Sequence, residues 1–298
     1  MKNILITGKN SYIGTSIKGW LEKYGYFVKE ISVHGTDWEL ESFKEMDVVI
    51  HVAGIAHQKE TRKNRNLYYE VNTILALKVF NKALQEGVKQ FIFLSSGAVF
   101  TQSDKNNRKI IITETSEYCP KTAYGKSKRE AEIGMMKILS EIPKETRCKL
   151  AIVRPPMIYG PGAKGNYTSL AKLAKKSPIF PYYYNMRSML FIDNLCECVR
   201  LIIFNNDQGF FYPQDEEFIC TSEMVKEIGA CHGKKVRLFK GMEPFIFMAG
   251  MYFNIINKVF GIYIYDKHIS QHYNGKYRVS SFLESIKKTE EFGEIGLK

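Results

Sequence analysis

Tyr124 and Lys128 stand four residues apart in Ala-Tyr-Gly-Lys-Ser-Lys, a spacing that puts both side chains on one helical face. An ammonium beside a phenol favours the phenolate, so this pair predicts a tyrosine pKa below the usual value of about 10. A phenol tuned in that way exchanges protons with a sugar or alcohol oxygen. With 18 tyrosines and 43 basic residues in the chain, the pair alone is equally the solvated face of a helix. Two further features give it weight: a glycine-marked turn near the N-terminus, and Ser95-Ser96 at the end of the apolar run Phe-Ile-Phe-Leu.

The glycine turn is Thr7-Gly8-Lys9-Asn10-Ser11-Tyr12-Ile13-Gly14, between a short apolar run and a helical pattern. A dinucleotide-binding turn requires that context. Gly8 permits the tight turn and Gly14 the close packing of helix on strand, while backbone N–H groups around Ser11, Tyr12 and Ile13 would face a pyrophosphate. Ser11 stands where a middle glycine is expected; its Cβ narrows the approach and its hydroxyl offers a donor. The second strand of such folds ends in an acid that holds the adenosine ribose diol. Ser32 is the counterpart here, and Lys9 is placed to approach a 2′-phosphate, which tilts the cofactor towards NADP(H) over NAD(H).

Around these residues the pattern alternates. Strands are expected at 4–6, 26–33, 47–54, 90–95 and 150–153, and helices at 11–24, 67–86 and 120–139. Buried strands alternating with amphipathic helices predict an α/β fold, a doubly wound parallel sheet with helices on both faces. Such sheets bind ligands beyond the carboxyl ends of their strands. Gly8, Gly54, Ser96 and the loop after Val153 all fall there.

The chain has 298 residues, 45% hydrophobic and 25% charged, as expected of a soluble globular protein. The N-terminal apolar run is too short for a signal-peptide core. The six cysteines lack zinc-site spacing, so reduced thiols, no metal and a cytoplasmic setting are expected. The net charge of +12 comes without a nucleic-acid docking motif and reads as solubility or attraction of phosphorylated ligands. Residues 244–265 are strongly apolar. The interruptions at Asn254, Asn257 and Lys258 argue for a helix packed in a C-terminal lobe rather than a membrane span, and leave peripheral membrane contact open.

The chain resembles the extended short-chain dehydrogenase/reductases, in particular the nucleotide-sugar epimerase/dehydratase group and the epimerase-like proteins of surface-polysaccharide pathways. The resemblance rests on Thr7–Gly14, His51-Val-Ala-Gly54, Asn72 in Tyr-Glu-Val-Asn, Phe-Ile-Phe-Leu-Ser-Ser, Tyr124-x-x-x-Lys128, Arg154-Pro-Pro-Met-Ile-Tyr-Gly-Pro-Gly162, Lys164-Gly-Asn166 and Arg187-Ser-Met-Leu-Phe-Ile-Asp-Asn194. It implies a Rossmann lobe over residues 1–155, with 187–205 returning to it, and a smaller substrate lobe over 156–298. It implies Ser96, Tyr124 and Lys128 as the catalytic set, with Lys128 also on the nicotinamide ribose. Asp37, Ala53, Gly54 and Asn72 would lie along the cofactor, Asn72 in a largely structural role. Met157, Asn166 and Arg187 would meet the substrate, Arg187 gripping its diphosphate. Family members dimerise through a four-helix contact that includes the Tyr124 helix, so a homodimer is one expected state.

The implied substrate is a nucleotide-sugar, by resemblance a UDP-sugar. Dehydratases of the group carry an acidic pair directly after the catalytic serine or threonine; Gly97 and Ala98 stand there, which disfavours 4,6-dehydration. A 4-epimerase and a 4-keto reductase both remain. A non-catalytic, NADP-sensing protein of the same fold is the alternative from another class.

Overall fold

The computed structural model describes residues 2–56, 60–100, 109–143, 147–163 and 165–295. The chain divides into two compact units. The first comprises Met1–Thr101, Glu117–Pro155 and Leu195–Pro213; the second comprises Gln102–Ser116, Pro156–Asn194 and Gln214–Lys298.

The first unit is built on strands β1 (Asn3–Thr7), β2 (Phe27–Ile31), β3 (Val48–His51), β4 (Gln90–Leu94), β5 (Lys149–Val153) and β6 (Gly209–Phe211). They form one six-stranded sheet in the order β2-β1-β3-β4-β5-β6. Every recorded pairing is parallel. All residues of β3 and β4 are buried, which explains their unbroken apolar runs. Strand order reverses direction between β1 and β3, the switch point at which such sheets open a ligand crevice.

Helices α1 (Tyr12–Lys23), α2 (Arg65–Tyr69), α3 (Leu75–Gln85), α4 (Ala123–Glu141) and α5 (Ile192–Asn205) connect the strands. Helix α3 buries Ala76, Val79, Phe80 and Ala83, a stripe at helical spacing. It joins Phe91, Phe93, Ala131 and Met135 in the core. Between α2 and α3 the chain makes a π-helical turn, Glu70–Ile74, so the stretch expected as one helix over 67–86 carries an extra residue around Asn72.

The second unit has its own buried centre. The Tyr159 hydroxyl donates to Asp215 (2.9 Å), which also accepts from the Phe191 N–H (2.9 Å) and the Asn194 amide (2.8 Å). The apolar stretch 244–265 is not one packed helix. It forms two short helices, Glu243–Tyr252 and Asn254–Phe260, then a strand, Ile262–Tyr265. Phe253 breaks it with extended backbone (φ −118°, ψ 106°), and much of the first helix is exposed. Among the described residues, no helix is long and apolar enough to cross a membrane.

Candidate active site

The turn after β1 is held in place by its neighbours. The N–H groups of Gly8 and Lys9 both donate to the Ile31 carbonyl (3.0 and 3.1 Å), which ties the turn to the end of β2 and to Ser32. Gly8 has φ +109°, and a Cβ there would stand 2.9 Å from Val52 Cγ2 and 3.1 Å from the Ala53 nitrogen. Only glycine meets both demands. A Cβ on Gly14 would stand 2.7 Å from Ser11 Oγ. Ser11 caps α1, its Oγ accepting from the Gly14 N–H (3.1 Å), and keeps its own O–H to donate. The turn is thus bare backbone on the tail of β3, at the start of a 12-residue helix. It fits a dinucleotide pyrophosphate.

Ser32 and Lys9 are exposed beside this turn, and Asp37 is exposed at the start of a 3-10 turn. Asn72 is fully buried. Its Oδ1 accepts from the Ile55 N–H (2.7 Å), and its Nδ2 donates to the Ile55 carbonyl (3.1 Å) and Ser127 Oγ (3.1 Å). Both amide protons are committed to protein partners, so Asn72 positions the segment after Gly54.

The catalytic candidates meet at the carboxyl ends of β3 and β4. Ser96 follows β4, and its Oγ accepts from the Ala98 N–H (3.1 Å). Tyr124 lies in the first turn of α4, beside Ser96, whose hydroxyl favours the ionised phenol. Gly125 makes this approach possible, since a Cβ there would lie 2.2 Å from the Ala98 carbonyl oxygen. Thr122 caps the helix by accepting from the Gly125 N–H (3.0 Å). Lys128 is buried, donating from Nζ to the Leu94 carbonyl (2.7 Å) with the Phe93 ring 4.7 Å away. A Cβ on Gly54 would come within 3.4 Å of the same Nζ, so the ammonium faces the segment expected along the cofactor.

The electrostatics correct one expectation. Tyr124 has its pKa raised by burial, which outweighs the lowering effect of the Ser96 hydroxyl; Tyr68 adds a still smaller rise. Lys128 does not depress it. Burial brings the lysine's own pKa down to about 8, and its Nζ is turned to Leu94; only Glu132 holds its charge up. His51 on β3 is buried, with Nδ1 2.7 Å from the Thr7 hydroxyl. Burial and the Lys128 charge lower its pKa to about 3, so it is neutral.

A buried ion network, unseen in the sequence, supports this corner. Arg154 follows β5 and is fully buried. Its Nε and Nη2 grip Glu132 of α4 at 2.9 and 2.7 Å, while Nη1 donates to the hydroxyls of Tyr118 (2.9 Å) and Tyr212 (2.8 Å). Glu132 also accepts from Ser95 Oγ (2.5 Å) and Arg129 (3.0 Å). One carboxylate therefore joins α4, one turn beyond Lys128, to the residue before Ser96. Arginine within a Tyr and Phe cage and a glutamate eight residues after a tyrosine carry no local signal of pairing.

The other expected substrate residues belong to the second unit. Met157 is half-buried and pairs with Met189. Asn166 opens the helix Asn166–Lys176, but its side chain lies outside the described residues, as does Lys164. Arg187 donates to the Gly261 carbonyl (3.3 Å), and burial lowers its pKa. Among the described residues no carboxylate is recorded within ion-pair distance of it.

Comparison with known proteins gives the family. Residues 4–211 match the NAD dependent epimerase/dehydratase family. The chain belongs to that family. It is an NAD(P)-dependent enzyme of epimerase/dehydratase type on a Rossmann fold. The UDP-glucose 4-epimerase of Vibrio cholerae is 32% identical over 257 residues, 76% of this chain and 75% of that one. The N-acetyl-alpha-D-glucosaminyl-diphospho-ditrans,octacis-undecaprenol 4-epimerase of Escherichia coli O157:H7 is 26% identical over 277 residues, 87% of this chain and 81% of its own. The fold is also similar to that of a dTDP-4-dehydrorhamnose reductase from Bacillus anthracis in complex with NADP, with a TM-score of 0.70, 19% identity and full coverage of both chains.

Proposed function

We propose that this family member interconverts a nucleotide-sugar, by analogy a UDP-sugar, at C4, as a 4-epimerase supplying a surface-polysaccharide precursor. The observation that carries the reading is Ser96 at the end of β4 beside Tyr124 in the first turn of α4, one helical turn from buried Lys128, on the unit that holds the glycine turn. Two relatives named as 4-epimerases support the choice of reaction. Gly97 and Ala98, which cannot ionise, speak against dehydration.

The dinucleotide, when bound, supplies a hydride acceptor and donor; Gly8, Ser11, Gly14, Ala53, Gly54 and Lys128 are the residues that would hold it. Ser96 Oγ holds the sugar oxygen by hydrogen bonding, and Tyr124 Oη passes the proton to or from it. A phenol with a raised pKa rests protonated at neutral pH, so Tyr124 is set to donate when a ketone is reduced. Taking a proton from a hydroxyl requires a cation nearby, and Lys128, on the same helical face, would have to turn its ammonium from the Leu94 carbonyl to supply it. Arg187, a partly desolvated guanidinium, suits the diphosphate.

A 4-keto reductase using NADPH is the second reading, and Ser32 favours it, because no carboxylate there repels a 2′-phosphate. The test is incubation with UDP- and dTDP-sugars, and with an N-acetylhexosaminyl diphospho-polyprenol, with and without added NADPH. Sugar interconversion without added reductant, by protein retaining stoichiometric NAD, supports the epimerase. NADPH consumption only with a 4-keto-sugar supports the reductase. Tyr124→Phe should keep dinucleotide binding and lose about 100-fold or more in turnover, and wild-type rates from that variant would overturn both readings.

A further inference from the structure

The helix Glu243–Tyr252 has an unusual surface. Its sequence, Glu-Pro-Phe-Ile-Phe-Met-Ala-Gly-Met-Tyr, is apolar all round after Glu243, yet only Ile246 and Gly250 are buried. Phe245, Phe247, Met248, Met251 and Tyr252, with Phe253 just beyond, are between 42% and 74% exposed. A helix apolar on every side is ordinarily covered, and a contiguous exposed patch of this kind marks an interaction site. The patch is on the second unit and has no part in the chemistry above.

Charge indicates what covers it. The segment leading into the helix, Lys234-Lys-Val-Arg-Leu-Phe-Lys240, has four cations and no acid. Strand Arg237–Phe239 pairs with Ile179–Pro181, and this ribbon turns Ile179, Arg237 and Phe239 out to solvent while burying Phe180. Phe180 and Tyr183 pack on Phe260 of the following helix, with ring centroids 5.9 and 5.5 Å apart, so ribbon and helices are neighbours. The Lys234 ammonium also reaches the Lys175 carbonyl, bringing in Lys176 at the end of the helix Asn166–Lys176, where the Lys175 ammonium itself is paired with Glu290 (2.8 Å). Glu243, the only acid of the exposed helix, is turned back to accept from the Gly241 N–H (2.8 Å).

We infer that this face docks on an anionic lipid bilayer, the apolar helix entering the headgroup boundary and the Lys234–Lys240 cations resting on the acidic headgroups. Apolar side chains with flanking cations and a net charge of +12 suit such a surface. A second copy of the chain suits it less, because the same cations would meet across the contact.

The inference is independent of the reaction assigned above, and its test needs no sugar. Purified protein is floated with vesicles of phosphatidylcholine, or of phosphatidylcholine with about 30% phosphatidylglycerol, at low salt and at about 0.5 M salt. Binding to the anionic vesicles at low salt is expected, weakened about tenfold on the neutral ones and by the higher salt. The triple variant Phe245→Gln, Phe247→Gln and Met251→Gln should lose about tenfold or more of the binding while keeping its thermal midpoint and dinucleotide uptake. Lys235→Glu with Lys240→Glu should lose binding to anionic vesicles selectively. Failure of the wild type to float with anionic vesicles would overturn the inference, as would wild-type flotation of the triple variant. So would a wild-type dimer that ignores vesicles and dissociates in the triple variant.

Discussion

Three helical glycines offer one substitution with three expected outcomes. Glycine inside a helix costs roughly 0.5–1 kcal/mol relative to alanine, so Gly→Ala stabilises wherever a methyl group fits. At Gly19 of α1 a Cβ would meet nothing within 4 Å, and Gly19→Ala should gain about that amount. At Gly134 of α4 it would stand 2.7 and 2.9 Å from the two Cδ atoms of Leu77. These are the far ends of a flexible side chain, and displacing them costs about 0.5–1.5 kcal/mol, so Gly134→Ala should come out near neutral. At Gly125 the neighbour is the Ala98 carbonyl oxygen, 2.2 Å away, with Pro120 Cβ at 3.0 Å. Backbone cannot swing aside. Cβ contacts under 3.0 Å are essentially never found, so the first turn of α4 would have to recede by at least 0.8 Å, the difference between 3.0 and 2.2. Overpacking of this kind costs roughly 1–3 kcal/mol, which outweighs the helix gain. Tyr124 precedes Gly125, so the same displacement carries it away from Ser96, and a shift of about 1 Å at a reacting group costs on the order of 100-fold in rate. Urea unfolding and turnover of the three variants decide the matter. A Gly125→Ala protein as stable and as active as Gly19→Ala would refute the contact on which the site's geometry depends.

Three further outcomes follow from the same corner. Lys128 titrates at about 8 folded against 10.5 unfolded. The folded state therefore binds fewer protons through that window, and wild-type stability rises with pH across it; the penalty, about 3 kcal/mol, is fully present below the folded value. Lys128→Met should accordingly exceed the wild type by a margin that shrinks by that amount as pH climbs, and a margin in urea unfolding flat with pH would contradict the assignment. Glu132→Gln breaks a buried ion pair and should cost about 3–5 kcal/mol, most of it restored by Glu132→Met with Arg154→Met; equal losses in single and double variants would be the wrong result. Asn72→Ala removes the partners of Ile55 and Ser127 and should cost about 1–3 kcal/mol, with faster amide exchange at Ile55; unchanged protection there would count against its positioning role.

What could be read from the chain divides by the range of the interaction. Gly8 and Gly14, the apolar runs of β3 and β4, and Tyr124 with Lys128 are local patterns, and they fall at the strand ends where local rules put them. The direction of the Tyr124 shift was not legible. Spacing on a helix tells which side chains share a face, but not that Lys128 would turn to the Leu94 carbonyl or that burial would govern the phenol. Glu132 continues the same face as Lys128 and has the look of a solvated helix residue. Its role becomes visible only when β5 delivers Arg154, 22 residues later, to the other side of the carboxylate. The stretch after Pro244 failed for a related reason. From Pro244 to Phe253 the lack of polar residues removes the periodicity that separates a packed helix from an exposed one, and the break at Phe253 leaves no glycine or proline mark. In each case the missing information is a tertiary partner. The candidate site's residues therefore lie in contiguous motifs, while the ion pair that braces them joins residues far apart in the chain.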